Sequence, residues 1–149
     1  MTKKILKNTS ESLPTWDLQD FYKSINDPKI FQDLKKSSQN CDLFVKKYQQ
    51  KIAKISANEL FVAIETYEKI SEEIGKISCY SYLIYSSDLS NQTNLNFYQN
   101  TSEKINDLSS KIIFFTLEIN QLDKIKSKEM SNNLKFSNAA QVKDIFKKV

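Results

Sequence analysis

Residues 59–88 read ELFVAIETYEKISEEIGKISCYSYLIYSSD. Apolar side chains recur there at Leu60, Ala63, Tyr67, Ile70, Ile74, Ile77 and Ile84, in steps of three and four with a polar gap at Ser81. That spacing puts them on one stripe of an α-helix buried along one face. Just upstream, Ser56-Ala57-Asn58-Glu59 has the form of a capping box and opens the helix. The rest of the chain reads as helices laid against this one.

On the N-terminal side, Asp27-Pro28 marks a helix start, with Asp as N-cap and Pro in the first helical position. Phe31, Leu34, Ser38, Cys41, Phe44 and Tyr48 follow at helical spacing, and the helix is expected to end near Lys51. On the C-terminal side, Asp88 to Thr93 is a break, with Thr93 as the expected N-cap. Tyr98, Thr101, Ile105, Leu108, Ile112, Phe115, Ile119 and Leu122 then repeat with a period near 3.5, predicting one helix to about Leu122. The second and third helices are each about 30 residues, hence about 45 Å long. Their short connection makes them an antiparallel hairpin, with the first helix alongside.

The expected fold is therefore all-α: an antiparallel bundle of three long helices, with a partial fourth helix at the C-terminus. Residues 1–12 form a polar, Lys-rich arm, 13–136 the helical domain and 137–149 the start of a further helical segment. Thr15 caps a short turn from Trp16 to Tyr22, with Trp16 pinning the arm to the body. After Asp123 the pattern weakens, with a helical turn expected at Ser127–Met130. Ala139, Val142, Ile145, Phe146 and Val149 form a last amphipathic stretch with no Gly, Asn or Pro to close it. Natural ends and chains cut inside an element both look like this.

Composition supports the same class. A chain of 149 residues fits one domain with a real core. One Gly and two Pro leave few turns, which disfavours all-β and Rossmann-like folds. All 22 basic residues are Lys and the net charge is +4. Without Arg, the usual bidentate contacts to bases are missing, so no nucleic-acid partner is expected. No stretch approaches a membrane span or an apolar leader, so no membrane partner is expected and the location read from the sequence is cytoplasmic. Cys41 and Cys79 are expected to be reduced, buried as small hydrophobes.

Catalytic chemistry finds little to work with. The chain has no histidine and no Cys-x-x-Cys pair, so neither an ordinary zinc site nor a Ser/His/Asp or Cys/His centre can be built. Glu65, Glu68, Glu72 and Glu73 cluster on the central helix. Glu65–Lys69 and Glu72–Lys76 are i,i+4 pairs of favourable orientation, so a solvated face is expected rather than a paired-acid site. Tyr80, Tyr82 and Tyr85 point around more than one face: some belong to the core, and others suit a groove or an interdomain contact through their hydroxyls. Trp16, Tyr80, Tyr82 and Tyr85 are the candidate contact residues; catalytic, metal and cofactor-binding residues are none.

Four segments resemble the N-terminal region of the oligoendopeptidase F family of zinc metallopeptidases, related to thimet oligopeptidase. They are Leu13 to Leu18 continuing through Asp20-Phe21-Tyr22 to Pro28, Tyr80 to Asp88, Phe97-Tyr98-Gln99, and Phe114 to Asn120. Order and spacing agree with the family from about Leu13 to Phe136. Leu89 departs from the family's frequent Thr, and the chain from Ala139 is less similar. The resemblance implies a helical domain that precedes the catalytic one and walls a channel admitting short peptides. In the family, zinc and a general-base Glu belong to a His-Glu-x-x-His helix that no position here matches. The resemblance thus implies a non-catalytic fragment without cofactor of its own: either a remnant, or a piece that assembles with a separately encoded catalytic domain holding the zinc. Short peptides would be substrates only of the assembled enzyme. An independent helical protein-interaction module is the alternative, and Lys-driven binding to an anionic surface is a third reading.

Overall fold

The structure is a computed structural model, and it describes residues 17–122. The arm, Thr15, Trp16, the Ser127–Met130 turn and the segment from 137 to 149 lie outside the described residues. Four α-helices follow in order: α1 Pro28–Tyr48, α2 Ala57–Ser87, α3 Gln92–Ile112 and α4 Phe114–Asn120, with a single 3-10 turn, Ile52–Lys54, between α1 and α2. The described chain is all-α, a bundle in which α1, α2 and α3 pack on one another.

Each start has a local cause. Asp27 caps α1 by accepting from Lys29 N, with Pro28 in the first helical position. At α2 the capping box closes as expected, Ser56 Oγ accepting from Glu59 N and Glu59 accepting from Ser56 N. For α3 the cap is Asn91 rather than Thr93: Asn91 Oδ1 accepts from Thr93 N at 2.9 Å and from Asn94 N at 3.2 Å. An amide two residues earlier reaches both free donors, so the helix begins two residues sooner. Asp88 shapes the turn before it, accepting from Ser90 N and Ser90 Oγ.

Reversal of direction follows from the contacts. Ile84 O accepts from Asn94 Nδ2, Tyr80 meets Phe97, and Tyr67 meets Phe115, so α2 and α3–α4 run antiparallel. Lys36 meets Glu73 and Phe44 meets Tyr67, so α1 and α2 are also antiparallel. The α2 stripe is buried as its spacing predicts at Leu60, Ala63, Ile70, Ile74 and Ile77, while Tyr67 and Ile84 are half-buried against the core. Ser81 continues the line: it is fully buried, and its hydroxyl donates to Ser78 O at 2.9 Å. A side chain that satisfies itself on its own helix fits the core without a partner.

Three further expectations need correction. On α1 the inward residues are Ile30, Ser37, Cys41, Phe44 and Tyr48, whereas Phe31 is 68% exposed and Leu34 and Ser38 are half-buried. The face is rotated by one residue over the first half, because Ile30 and Phe31 are adjacent apolar side chains and only one can enter the bundle. Next, α1 stops at Tyr48, before Lys51: Gln50 takes φ 61°, the left-handed region, which ends a helix. Finally, the third long helix is interrupted at Ile113. Thr116 Oγ1 donates to Ile113 O at 2.9 Å, and Leu117 N reaches the same carbonyl at 3.3 Å. This competition within the ladder bends helices. The stripe itself continues through the break, with Ile112, Phe115, Ile119 and Leu122 all buried.

That break tucks α4 under the bundle. Phe114 and Phe115 pack on Phe44 with ring centroids 5.7 and 5.2 Å away, and Phe115 also meets Tyr67 at 4.9 Å. Glu118 fastens α4 to the loop after α1, accepting from Gln50 N at 2.5 Å and from Ile52 N at 3.2 Å. Among the described residues no helix is long and apolar enough to cross a membrane.

Candidate functional site

The C-terminal end of α2 and the start of α3 form an unusual surface. Residues 77–102 contain one charged side chain, Asp88, in a chain that is 27% charged. Tyr, Ser, Asn and Gln take the place of Lys and Glu. Depletion of charge with enrichment of Tyr marks protein contact surfaces.

Within that end the three candidate tyrosines separate by helix geometry. Tyr80 points inward and is 1% exposed. Its ring lies 6.3 Å from Phe21, 5.0 Å from Tyr22 and 6.0 Å from Phe97. Burial, and then the charge of Asp27, push its hydroxyl above the usual tyrosine range. Tyr80 is thus a core post that holds the 18–27 turn and α3 to α2. Tyr82 faces out, 56% exposed, and Tyr85 is half-buried. Both meet Tyr98 of α3, Tyr85 in a near-parallel stack at 5.0 Å and Tyr82 edge-on at 6.1 Å. Tyr82, Tyr85 and Tyr98 make an aromatic ledge across the hairpin. Trp16 lies outside the described residues.

Helical spacing assigns Tyr98 to the core stripe, whereas packing leaves it half-buried at the surface. The signal that points to it is the charge-free run around it, which the stripe obscures. The ledge offers rings and hydroxyls for contact but no acid–base pair.

Tyr22, beside the ledge's core post, is a polar anchor between the 18–27 turn and α1. Its hydroxyl donates to Asp33 Oδ2 at 2.9 Å, and Lys76 Nζ sits 5.1 Å above its ring. Burial foremost, with Asp33's hydrogen bond and charge, drives the phenol pKa far above its ordinary value. Lys76 is therefore turned toward Tyr22, and neither Glu72–Lys76 nor Glu65–Lys69 closes as an ion pair. Glu73 is instead bound across the α1–α2 interface by Lys36 at 2.7 Å and by Asn40 at 3.1 Å.

Two surface grooves flank α1. One, of about 460 Å³ between α1 and α2, has exposed Leu43 and Val62 on its sides. Another, of about 540 Å³ between α1 and α3, is lined by Phe31, Leu34 and Leu108 with Lys35, Lys104 and Lys111 around them. The thiols divide: Cys41 is buried, donating to Leu108 O at 3.8 Å, whereas Cys79 is exposed, contrary to the expectation that both are buried. Cys79 lies one residue before the inward-facing Tyr80, on the outer side of α2. Burial raises the Cys41 pKa.

The chain has no histidine, and among the described residues no three His, Cys, Asp or Glu side chains gather as a metal cluster. Compared with protein families, with curated proteins and with solved structures, the chain finds no match.

Proposed function

We propose that this chain is the non-catalytic helical module of an oligoendopeptidase F-like zinc metallopeptidase, which in that family walls the channel for short peptides. The observation that carries the reading is the meeting of three of the four resembling segments at one ring. Phe21 and Tyr22 of the first segment and Phe97 of the third all pack on Tyr80 of the second. Residues far apart in sequence that share a family's spacing are thus a single packing unit, which is a physical reason for their spacing to persist.

In this reading the chemistry belongs to a partner that brings the His-Glu-x-x-His helix and its zinc. This chain contributes shape, and its charge-free ledge of Tyr82, Tyr85 and Tyr98 is the contact toward that partner. The test is to express the frame adjoining this one, mix its product with the purified chain, and follow cleavage of an internally quenched short peptide. Cleavage by the mixture alone is the expected result. Peptidase activity, or tight stoichiometric zinc, in the pure chain would falsify the reading.

The alternative, an independent helical interaction module, is favoured by one specific observation: the exposed Phe31 on the α1–α3 groove. A soluble chain that unfolds cooperatively and leaves the adjoining product's activity unchanged would support it.

A further inference from the structure

At Ser37 the packing leaves a polar group unanswered. Ser37 lies in the third turn of α1 and is fully buried, and its Oγ has no hydrogen-bond partner among the described residues. Ser81, the other buried serine, donates to Ser78 O of its own helix; Ser37 makes no such bond. A buried hydroxyl without a partner is costly, so it calls for a reason. Ser37 lines a hollow of about 190 Å³ between α1 and α2, together with Lys29, Asp33, Lys36, Glu73 and Lys76. Lys29 and Lys36 are exposed, Asp33, Glu73 and Lys76 half-buried, and Ser37 buried, so the lysines of α1 mark its mouth and Ser37 its floor.

Three ammonium groups against two carboxylates leave this hollow one positive charge. Both carboxylates are already engaged. Glu73 accepts from Lys36 at 2.7 Å and from Asn40 at 3.1 Å, and Asp33 Oδ2 accepts from the Tyr22 hydroxyl at 2.9 Å. Lys36 is neutralised by Glu73. Lys29 and Lys76 have no ion-pair partner among the described residues, and Lys76 rests over the Tyr22 ring. One small hollow thus gathers three donors that lack an acceptor oxygen: two ammonium groups and a buried hydroxyl.

We propose that this hollow binds a phosphate group, free or carried by a small monoester, with Ser37 Oγ donating to one oxygen and Lys29 and Lys76 bonding the others. A water would satisfy Ser37 but leave both ammonium groups unpaired, whereas an anion answers all three. A phosphate group presents three strong acceptor oxygens and a negative charge, one oxygen for each waiting donor, and lysine binds it as a point charge. A carboxylate has two oxygens for the three. The hollow is many times the roughly 10–15 Å³ that one water requires, so it admits an ion of several heavy atoms. The inference does not rest on the peptidase reading and stands whether or not a catalytic partner exists.

The experiment uses the full chain, labelled with 15N, in phosphate-free buffer. Inorganic phosphate is titrated in while chloride is adjusted to hold ionic strength constant, so that general screening does not change. Saturable shifts are expected at the amides of Lys29, Lys36, Ser37, Glu73 and Lys76, and glycerol phosphate should shift the same set. Ser37→Ala should lower phosphate affinity about tenfold or more, the loss of a hydrogen bond to a charged group. Without phosphate its melting temperature should be no lower than that of the unaltered chain, so the lost binding reports the missing donor and not a lost fold. Lys76→Gln should also weaken binding, whereas Lys35→Gln, on the α3 side of α1, should leave it unchanged. No saturable shift, or shifts spread over the exposed lysines, overturns the proposal and leaves the hollow to water. Acetate bound as tightly as phosphate overturns the choice of anion. A lowered melting temperature in phosphate-free Ser37→Ala overturns it too, since the hydroxyl would then already be bonded within the chain.

Discussion

Glu118 is the side chain whose removal should reveal how α4 is held. Its carboxylate accepts from Gln50 N and Ile52 N, joining residues 66 and 68 positions apart in the chain. Gln50 sits at φ 61°, so the loop is under backbone strain at the point that Glu118 grips. In Glu118→Ala the exposed Gln50 N–H is rehydrated at little cost. The half-buried Ile52 N–H loses a charged acceptor, and such bonds are each worth about 1.5–3 kcal/mol. The expected loss is therefore about 2 kcal/mol. In urea, with a slope of about 1–2 kcal/mol/M for a domain of this size, the midpoint should fall by about 1–2 M. Gln50→Gly should act oppositely, raising stability by about 0.5–1 kcal/mol by removing the left-handed penalty. A midpoint that stays put in Glu118→Ala would refute the clamp and leave α4 held by the burial of Phe114, Phe115 and Ile119.

Other outcomes follow from the same packing. Tyr80→Ala should destabilise the chain by about 3–5 kcal/mol, as large aromatic truncations in a core do, while Tyr82→Ala should change stability by less than about 0.5 kcal/mol; paired thermal melts check the contrast. Ser37 Oγ is buried with no hydrogen-bond partner, so Ser37→Ala should stabilise by about 1 kcal/mol, and a destabilised variant in the same melts would mean that the hydroxyl has a partner. A thiol reagent added to native protein should modify Cys79 alone, with Cys41 reacting only after denaturation; modification of both at once would contradict the burial of Cys41. Acid should loosen the helix starts. Lys23 N and then Lys29 N hold the Asp27 carboxyl below its ordinary 3.8, Ser56 N and then Ser56 Oγ hold Glu59 below 4.5, and Ser90 Oγ and then Ser90 N hold Asp88 below 3.8. Their folded values are depressed, so their contribution is present above those pH values and lost as pH falls through the folded ones. Melting temperature should therefore drop on acidification below about pH 4, and a flat profile there would count against these caps.

What the sequence disclosed, and what it hid, follows from how local each cause is. Caps are local: Asp27-Pro28 and the Ser56–Glu59 box are legible because the partners are two or three residues apart, but where two capping side chains lie close together, as Asn91 and Thr93 do, locality does not choose between them. The long stripes of α2 and α3 are legible because many turns average out any one exception, and even Ser81 keeps its place by bonding to its own helix. The orientation of α1 was not legible. Ile30-Phe31 and Ser37-Ser38 are near-equivalent neighbours, and only the positions of α2 and α3 decide which one turns inward. At the break, Thr116 Oγ1 shares the Ile113 carbonyl with Leu117 N, a contact that helical patterning does not register. For the surface, tyrosine spacing separated neither Tyr80 from Tyr82 nor Tyr98 from the core, because exposure is set by the neighbouring helix. The groove at Phe31 is hidden for the same reason, as a residue assigned to the core by pattern and left outside by packing.

The central claim, that this helical body works through a catalytic partner rather than by chemistry of its own, meets its most direct test in one assay. The adjoining frame is sequenced for a His-Glu-x-x-His segment, its product is purified, and peptide cleavage is measured for each protein alone and for the two mixed. Cleavage that appears only on mixing, and is lost when a chelator removes the metal, is the predicted result. A catalytic product equally active without this chain, or the lack of any such frame, would contradict the claim.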